Sequence, residues 1–166
     1  MSKKEIAEAL RNLKIEDVSG VFTNPTVVRE ETPIIQVLEM LVKDPLTHVV
    51  YVVDGTGKLK GVIGDKEVLQ WLAFQAEGKV PKGLSYFDKT VDTLIFAMGT
   101  QARHFMGPSK AVKTKDNLVN ALDTMLASGQ EELPVVDNNN VVIGDLSCLE
   151  VIYGMLKTIE GKAPKR

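Results

Sequence analysis

The side chains best suited to chemistry in this sequence stand in two short windows. The later window, Gly144 to Glu150, offers a hydroxyl at Ser147 and carboxylates at Asp145 and Glu150. Carboxylates accept hydrogen bonds from sugar hydroxyls, and the start of a helix favours an anion. The same residues also suit a protein without a ligand, because Ser147 would cap a helix and Glu150 would favour its dipole.

The earlier window, Gly61 to Glu67, has the same layout with weaker chemistry. Gly64 stands where the other window has a hydroxyl, and the carboxylates are those of Asp65 and Glu67. Helix capping by Asp65 and a first-turn position for Glu67 explain these residues without a ligand as well.

Basic side chains gather ahead of the later window. Arg103, His104 and Lys110 lie within a few residues of one another, and Lys113 follows them. Such cations can reach a phosphate, although solvated surface charge is the alternative.

The sequence offers no catalytic or metal-binding constellation. His48 and His104 do not stand with cysteines or paired carboxylates at metal-ligand spacing. Cys148 is the single cysteine, and no partner that would activate it is visible. We therefore expect no catalytic residue, no metal and no enzyme activity.

The two windows belong to an internal repeat. The segment from 49 to 69 returns in shortened form from 133 to 152, with Asp54 matching Asp137 and Gly61 matching Gly144. Both pairs are 83 positions apart (137 − 54 and 144 − 61), and upstream Val28 matches Val112 at an offset of 84 (112 − 28). A repeat of this length predicts two similar folding units.

Hydrophobic periodicity and turn residues predict the order strand, helix, strand, strand, helix in each copy. The strands are predicted at 26–28, 49–53, 59–63, 111–112, 133–136 and 141–143, and the helices at 3–13, 33–43, 65–74, 91–105, 117–127 and 149–156. The same helix face should be buried in both copies, through Ile34, Leu38, Leu41 and Val42 in the first and Leu118, Leu122, Met125 and Leu126 in the second. In the helix at 65–74, the side chains expected to face the core are Val68, Leu69 and Leu72.

The composition indicates a globular protein without a strong overall electrostatic field. Of the 166 residues 44% are hydrophobic and 25% charged, with a formal net charge of −2. That charge favours neither nucleic acid nor an anionic membrane, and no apolar run approaches the ~20 residues that span a bilayer. With one cysteine, a cytoplasmic location is the expectation.

These motifs resemble the CBS-domain family, in the tandem arrangement called a Bateman module. The resemblance is carried by LPVVD at Leu133 to Asp137, VVIG at Val141 to Gly144, the hydroxyl of Ser147 and HFMGPSKAV at His104 to Val112. It implies an α/β (α+β) fold with two motifs, each a three-stranded sheet with two helices, packed as a pseudo-twofold pair. The implied domains are an N-terminal helix at 1–15, motif 1 at 16–75, a linker and lead-in helix at 76–100, motif 2 at 101–158 and a flexible tail at 159–166.

The resemblance further implies binding rather than catalysis. Similar modules bind AMP, ADP, ATP or S-adenosylmethionine in the clefts between the two motifs. They dimerise, usually through their helices, and regulate a protein partner or an attached domain. The implied ligand-binding residues are Ser147, Glu150, Asp145, Lys110, Ala111, Val112, Leu133, Pro134, His104 and Arg103 for the second motif, and Thr26, Val27, Gly64, Asp65 and Glu67 for the first. Ligand-binding members carry Asp where this chain has Glu67 and Glu150. A ligand-free dimerisation scaffold is the alternative, and ordinary core is the alternative for the apolar residues.

Overall fold

The computed structural model describes residues 2–20, 24–44, 47–78 and 98–161 of the chain. These residues form two compact units. We call residues 26–108 the first-repeat unit, and residues 1–25 together with 109–166 the second-repeat unit.

Each unit holds a three-stranded sheet and α-helices. In the first-repeat unit these are β1 (Val27–Arg29), α2 (Ile34–Lys43), β2 (Val49–Val53), β3 (Leu59–Gly64) and α3 (Asp65–Glu77). In the second-repeat unit they are α1 (Lys3–Asn12), β4 (Val112–Lys113), α4 (Leu118–Ser128), β5 (Glu132–Val136), β6 (Val142–Ser147) and α5 (Cys148–Ile159). Short 3-10 turns stand at Ile15–Asp17 and Ala102–His104. The mixed fold and the two three-stranded sheets confirm the fold class predicted from the sequence.

The two sheets are built alike. The first strand pairs in parallel with the second, and the second pairs antiparallel with the third, so the orders are β1-β2-β3 and β4-β5-β6. The ladder shifts register between Val52 and Val53 in one sheet and between Val135 and Val136 in the other. These positions are 83 residues apart (135 − 52), so the repeat includes a matching irregularity in strand pairing.

Both units take residues from outside their own repeat. Leu13, Ile15 and Val18 belong to the hydrophobic core of the second-repeat unit, whereas Ala102 and Phe105 belong to the core of the first-repeat unit. The compact units therefore differ from the linear boundaries 16–75 and 101–158. The reason is that the segment preceding each repeat buries its apolar side chains in the other repeat's unit.

The helix predicted from 91 to 105 ends earlier than predicted. Residues 91–97 lie outside the described part of the chain, Met98 is helical, and from 99 to 105 the chain forms only the 3-10 turn at Ala102–His104. The backbone of this segment bonds to the start of α2 and to the loop before it: Ile34 N donates to Thr100 O (2.9 Å), and Ala102 N donates to Thr32 O (2.8 Å). The tail from 162 also lies outside the described residues.

The buried helix faces are narrower than the sequence pattern predicted. Ile34 and Val37 are buried in α2, and Leu118, Ala121 and Met125 are buried in α4. Val42 and Leu126 are 83% and 81% exposed, so their predicted burial is wrong in both copies. Each lies eight positions beyond the first buried residue of its helix, on the flank of the stripe. In α3 the predicted burial of Leu69 and Leu72 is also wrong, since they are 64% and 48% exposed.

Candidate ligand edges

Strand direction gathers the second window with the starts of two strands. Because β4 and β5 are parallel they begin at one edge of the sheet, and antiparallel β6 ends at that same edge. Helix α5 starts at Cys148, directly after β6. We call this the second-repeat edge. It contains Lys110, Ala111, Val112, Leu133, Pro134, Asp145, Ser147 and Glu150, eight of the residues proposed from the sequence.

Ser147 and Glu150 form a capping box at the start of α5. Glu150 N donates to Ser147 Oγ (3.3 Å), while Ser147 N (2.8 Å) and Ser147 Oγ (3.2 Å) both donate to Glu150 Oε2. The Glu150 side chain is fully buried and Ser147 is 5% exposed. The helix-capping alternative therefore describes the geometry of this pair.

Strand register divides the residues of this edge between two faces of the sheet. Leu133 pairs with Leu146, and both lie in the hydrophobic core with Val112. The ordinary-core alternative thus accounts for Leu133 and Val112. Side chains alternate along a strand, so Glu132, Pro134, Asp145 and Ser147 lie on the opposite face, where Glu132 pairs with Ser147 and Pro134 with Asp145. All four are buried.

The sequence did not single out Gln130, and it favours a solvated loop tip for Glu132, which instead lies buried in β5. Gln130 Oε1 accepts a hydrogen bond from Lys110 N (3.2 Å) and so ties the approach to β4 to the approach to β5. The Lys110 side chain is exposed. In the sequence, Gln130 is recognisable as a polar residue just before a buried strand. Glu132 is recognisable as an acidic residue inside that strand.

The first-repeat unit has an equivalent edge. β1 and β2 begin there and β3 ends there, which places Thr26, Val27, Gly64, Asp65 and Glu67 together; we call it the first-repeat edge. Tyr51 N donates to Thr26 O (2.8 Å), and Gly64 N donates to Glu67 Oε2 (3.1 Å). Val27 and Asp65 are exposed, whereas Glu67 is buried. The Thr47 hydroxyl, which the sequence did not single out, lies 3.5 Å from that of Thr26.

Gly107 lies against the Glu67 side chain at the first-repeat edge. Val62 N donates to Gly107 O (3.0 Å) and Gly107 N donates to Val62 O (2.8 Å), so the segment runs along β3. A Cβ on Gly107 would stand 2.5 Å from Glu67 Oε1, and one on Gly61 would stand 2.7 Å from Gly107 O. The Glu67 carboxylate therefore lies beneath backbone that leaves no room for a side chain.

The proposed phosphate-binding cluster is not gathered within one unit. Arg103 and His104 occupy the 3-10 turn of the first-repeat unit, and Lys110 belongs to the second-repeat unit. Arg103 N donates to Glu30 O (3.1 Å). Glu30 directly follows β1, so this contact lies at the end of the sheet opposite the first-repeat edge. The Arg103 guanidinium donates to Gln101 Oε1 (Nε 2.9 Å), and His104 Nδ1 accepts from Thr100 N (3.2 Å). Both side chains hold the turn together.

Three further features of the described residues bear on function. No group of three or more His, Cys, Asp or Glu side chains could hold a metal ion within the described ranges. Across the same ranges, no helix is both long enough and apolar enough to cross a bilayer. Cys148 is exposed and unbridged.

Comparison with known proteins identifies the architecture. The sequence model of the CBS domain matches residues 15–74. A CBS domain-containing protein from Thermotoga maritima is 29% identical, with a TM-score of 0.70 over 87% of this chain and 95% of its own. The first repeat thus matches the CBS-domain family, and the fold of the chain is similar to that of solved CBS-domain proteins. No curated protein matches it significantly.

Two further CBS structures were solved with ligands. CBSX2 in complex with AMP is 25% identical to this chain, with a TM-score of 0.70 over 88% of this chain and 98% of its own. The CBS domain pair of protein MJ0100, in complex with 5′-methylthioadenosine and S-adenosyl-L-methionine, is 16% identical, with a TM-score of 0.62 over 90% of this chain and 98% of its own. At that identity the second likeness concerns the fold.

Proposed function

We propose that this protein is a cytoplasmic, non-catalytic regulatory CBS-pair module that binds an adenosine nucleotide of the AMP, ADP, ATP or S-adenosylmethionine type. It would signal through the geometry of a homodimer to a separate protein partner. The observation that carries this proposal is the second-repeat edge, in a fold shared with an AMP complex at 25% identity over 88% of this chain. That edge brings a buried carboxylate beside the starts of two strands.

The residues of this edge have distinct roles in the proposed binding. The ribose diol would donate to the Glu150 carboxylate, which has about four lone-pair sites in total. Adenine would lie against Ala111 and Pro134, at the starts of β4 and β5. Apolar surface there would supply contact area, and hydrogen bonds to backbone groups at the strand starts would fix the orientation of the adenine ring.

The dimer would form through exposed apolar helix faces. Leu69 and Leu72 are exposed on α3, and Leu149, Ile152 and Leu156 are exposed on α5, each more than two-fifths of its surface. Large exposed apolar side chains at helical spacing favour helix-on-helix association. Ligand binding would then shift the dimer between arrangements by no more than its difference in affinity for them.

A matched pair of blocking variants tests the binding site. Ala111, which directly precedes β4, corresponds to Val27 in the first repeat, at the offset of 84 (111 − 27). Ala111→Phe should weaken binding of the preferred adenosine compound at least tenfold in isothermal titration calorimetry, because the ring would fill the adenine position. Val27→Phe should change it less than twofold. Failure of adenosine, AMP, ADP, ATP and S-adenosylmethionine to bind at millimolar concentration would overturn the proposal.

A ligand-free dimerisation scaffold remains the second candidate function. It is favoured by the capping contacts, because Glu67 and Glu150 both accept hydrogen bonds from the backbone amides of the residues that cap their own helices. The two candidates differ in a measurable way. A scaffold would have the same dimer dissociation constant with and without adenosine compounds in sedimentation equilibrium, whereas the regulatory module would not.

A further inference from the structure

Residues 100–107, which we call the strap, connect two parts of the first-repeat unit. Near the start of the strap, Ala102 N donates to Thr32 O (2.8 Å), in the loop before α2. At its end, Gly107 and Val62 exchange two backbone hydrogen bonds (3.0 and 2.8 Å), so the strap reaches β3. The strap therefore joins the loop before α2 to the last strand of the sheet.

One histidine side chain closes the turn at the start of the strap. His104 Nδ1 accepts hydrogen bonds from Thr100 N (3.2 Å) and Gln101 N (3.4 Å). Only a neutral imidazole with its proton on Nε2 can accept at Nδ1, because the imidazolium carries a proton on both nitrogens. Protonation of His104 would therefore remove the acceptor of both amides and set a third N–H group against them.

The second-repeat unit contains an equivalent turn that a carboxylate closes. There Lys14 N donates to Asp17 Oδ2 (3.1 Å). The turn is bonded in the same way, because Ile15 N donates to Asp116 O (2.9 Å) and Asp116 corresponds to Thr32 at the offset of 84 (116 − 32). An ordinary aspartate stays ionised down to about pH 4, whereas an ordinary histidine takes up a proton near about pH 6.5. Mild acid should therefore affect only the turn that histidine closes.

We propose that the strap is an acid-sensitive switch of the first-repeat unit, closed by neutral His104 and open more often once this imidazole takes up a proton. Phe105, 3% exposed, still anchors the strap in the core, so the proton raises the open fraction without releasing every molecule. Opening would uncover the carboxylate of Glu67, because Gly107 lies against it. The second-repeat unit would keep its turn, since Asp17 closes that one.

The charged side chains around the strap do not supply the lost acceptor. Arg103, on the strap itself, would repel an imidazolium, and Glu30 and Glu31, in the loop bonded to the strap, would attract it. Neither effect gives the two amides of the turn a new partner. Carboxylates and guanidinium groups ordinarily keep their charge between about pH 5.5 and 7.5, so the imidazole is the group that changes. The elements that the strap contacts also carry Lys60 on β3 and Glu67 on α3.

Amide hydrogen exchange of the full chain, followed by NMR at about pH 7.5 and about pH 5.5, tests the switch. Each exchange rate is divided by the intrinsic rate at the same pH, which gives a protection factor for each amide. We expect the protection of Ala102 and Gly107 to fall at least about fivefold in acid, and that of Ile15 to change less than about twofold. The nitrogen spectrum of the His104 imidazole should show Nδ1 without a proton at the higher pH.

Exchanging the two acceptors supplies the variant arm. His104→Asp gives the strap the carboxylate that closes the equivalent turn, and it should reduce the acid response at Ala102 to less than about twofold. Asp17→His should create that response at Ile15, in the second-repeat unit. His48→Gln removes the other histidine of the sequence and is the matched control, which should leave the response at Ala102 unchanged.

Three results would overturn the switch: constant protection of Ala102 between the two pH values, a proton on His104 Nδ1 at the higher pH, or an acid response that persists in His104→Asp. A response that disappears in His48→Gln would assign it to the wrong histidine and overturn it as well. The first two results come from the unaltered chain, so a variant that folds poorly does not prevent a decision. None of these measurements needs a ligand, so the switch and the proposed nucleotide binding stand or fall separately.

Discussion

Two serine-glutamate capping boxes in this chain differ in their surroundings. Ser2 and Glu5 form one at the start of α1, where both side chains are exposed. Ser147 and Glu150 form the other at the start of α5, where both are buried. The Ser-x-x-Glu pattern in the sequence indicates the hydrogen bonds in each case. It does not indicate burial, because burial depends on which strands and segments fold over the helix start.

That difference in burial predicts different losses of stability. Ser147→Ala should lower the free energy of unfolding by about 2 kcal/mol, at the upper end for a lost cap, because a buried amide loses its acceptor. Ser2→Ala should lower it by roughly 0.5 kcal/mol, since water replaces the hydroxyl there. Urea denaturation followed by circular dichroism measures both. Equal losses would show that the α5 cap is as accessible to water as the α1 cap.

Gly57 occupies a position in the first hairpin that an L-residue adopts only with strain. Its φ is 83°, and the equivalent Asn140 in the second hairpin has a φ of 65°. Gly57→Ala should therefore cost about 1–2 kcal/mol of stability in urea denaturation. Gly55→Ala is the matched control, because Gly55 has no positive φ and a Cβ there would meet only Arg29 Nη1, at 3.9 Å. A loss at Gly55 equal to that at Gly57 would contradict this account.

At the scale of elements, the repeat predicted well where the strands and helices lie. It predicted less well which helix residues pack against the sheet. The offset of 83 located both β-hairpins, and the structure matches them down to the shifted register at Val52 and Val135. Periodicity also located α2 and α4. It could not predict that Val42 and Leu126 stay exposed, because a pattern of apolar residues does not show how wide a face the sheet covers.

The first hairpin turn should respond to acid through Asp54. Hydrogen bonds from the Thr56 hydroxyl and the Thr56 amide lower the pKa of Asp54 from 3.8 to about 2. A lowered folded-state pKa means that the ionised form stabilises the fold above the unfolded value, near pH 4, and that this contribution disappears as the pH falls toward 2. A carbon-detected NMR titration of the Asp54 carboxyl should show the low pKa. Thr56→Val should move it back toward 3.8, and no movement would contradict the assigned cause.

Gly154 lets α5 approach the segment that follows α1. A Cβ on Gly154 would collide with the Val18 side chain, whereas the equivalent position in the first repeat is Trp71, which packs edge-on against Phe105 with 5.6 Å between ring centroids. Gly154→Ala should lose about 1–3 kcal/mol of stability by overpacking, which outweighs the ~1 kcal/mol that alanine gains in a helix. Val18→Ala in the same chain should recover part of the loss. An absence of recovery would place the strain elsewhere.

At the scale of the whole molecule, the two compact units divide the chain differently from the two repeats in the sequence. The motif boundaries predicted from the sequence followed the repeat, because local sequence patterns indicate only local structure. The structure instead places Leu13, Ile15 and Val18 in the core of the second-repeat unit, and Ala102 and Phe105 in that of the first. A long-range exchange of this kind leaves no periodic signal in one sequence.

This exchange makes a reciprocal prediction for the two units. Ile15 is fully buried among residues of the second repeat, and Phe105 is 3% exposed among residues of the first. Truncating either should cost about 2–5 kcal/mol, because it leaves a cavity that the surroundings cannot fill. In hydrogen-exchange mass spectrometry of the full chain, Ile15→Ala should speed exchange more in β5 and β6 than in β2 and β3, since local opening follows the damaged core. Phe105→Ala should do the reverse. If each substitution instead loosened the repeat nearer to it in sequence, the exchange of segments between the units would be refuted.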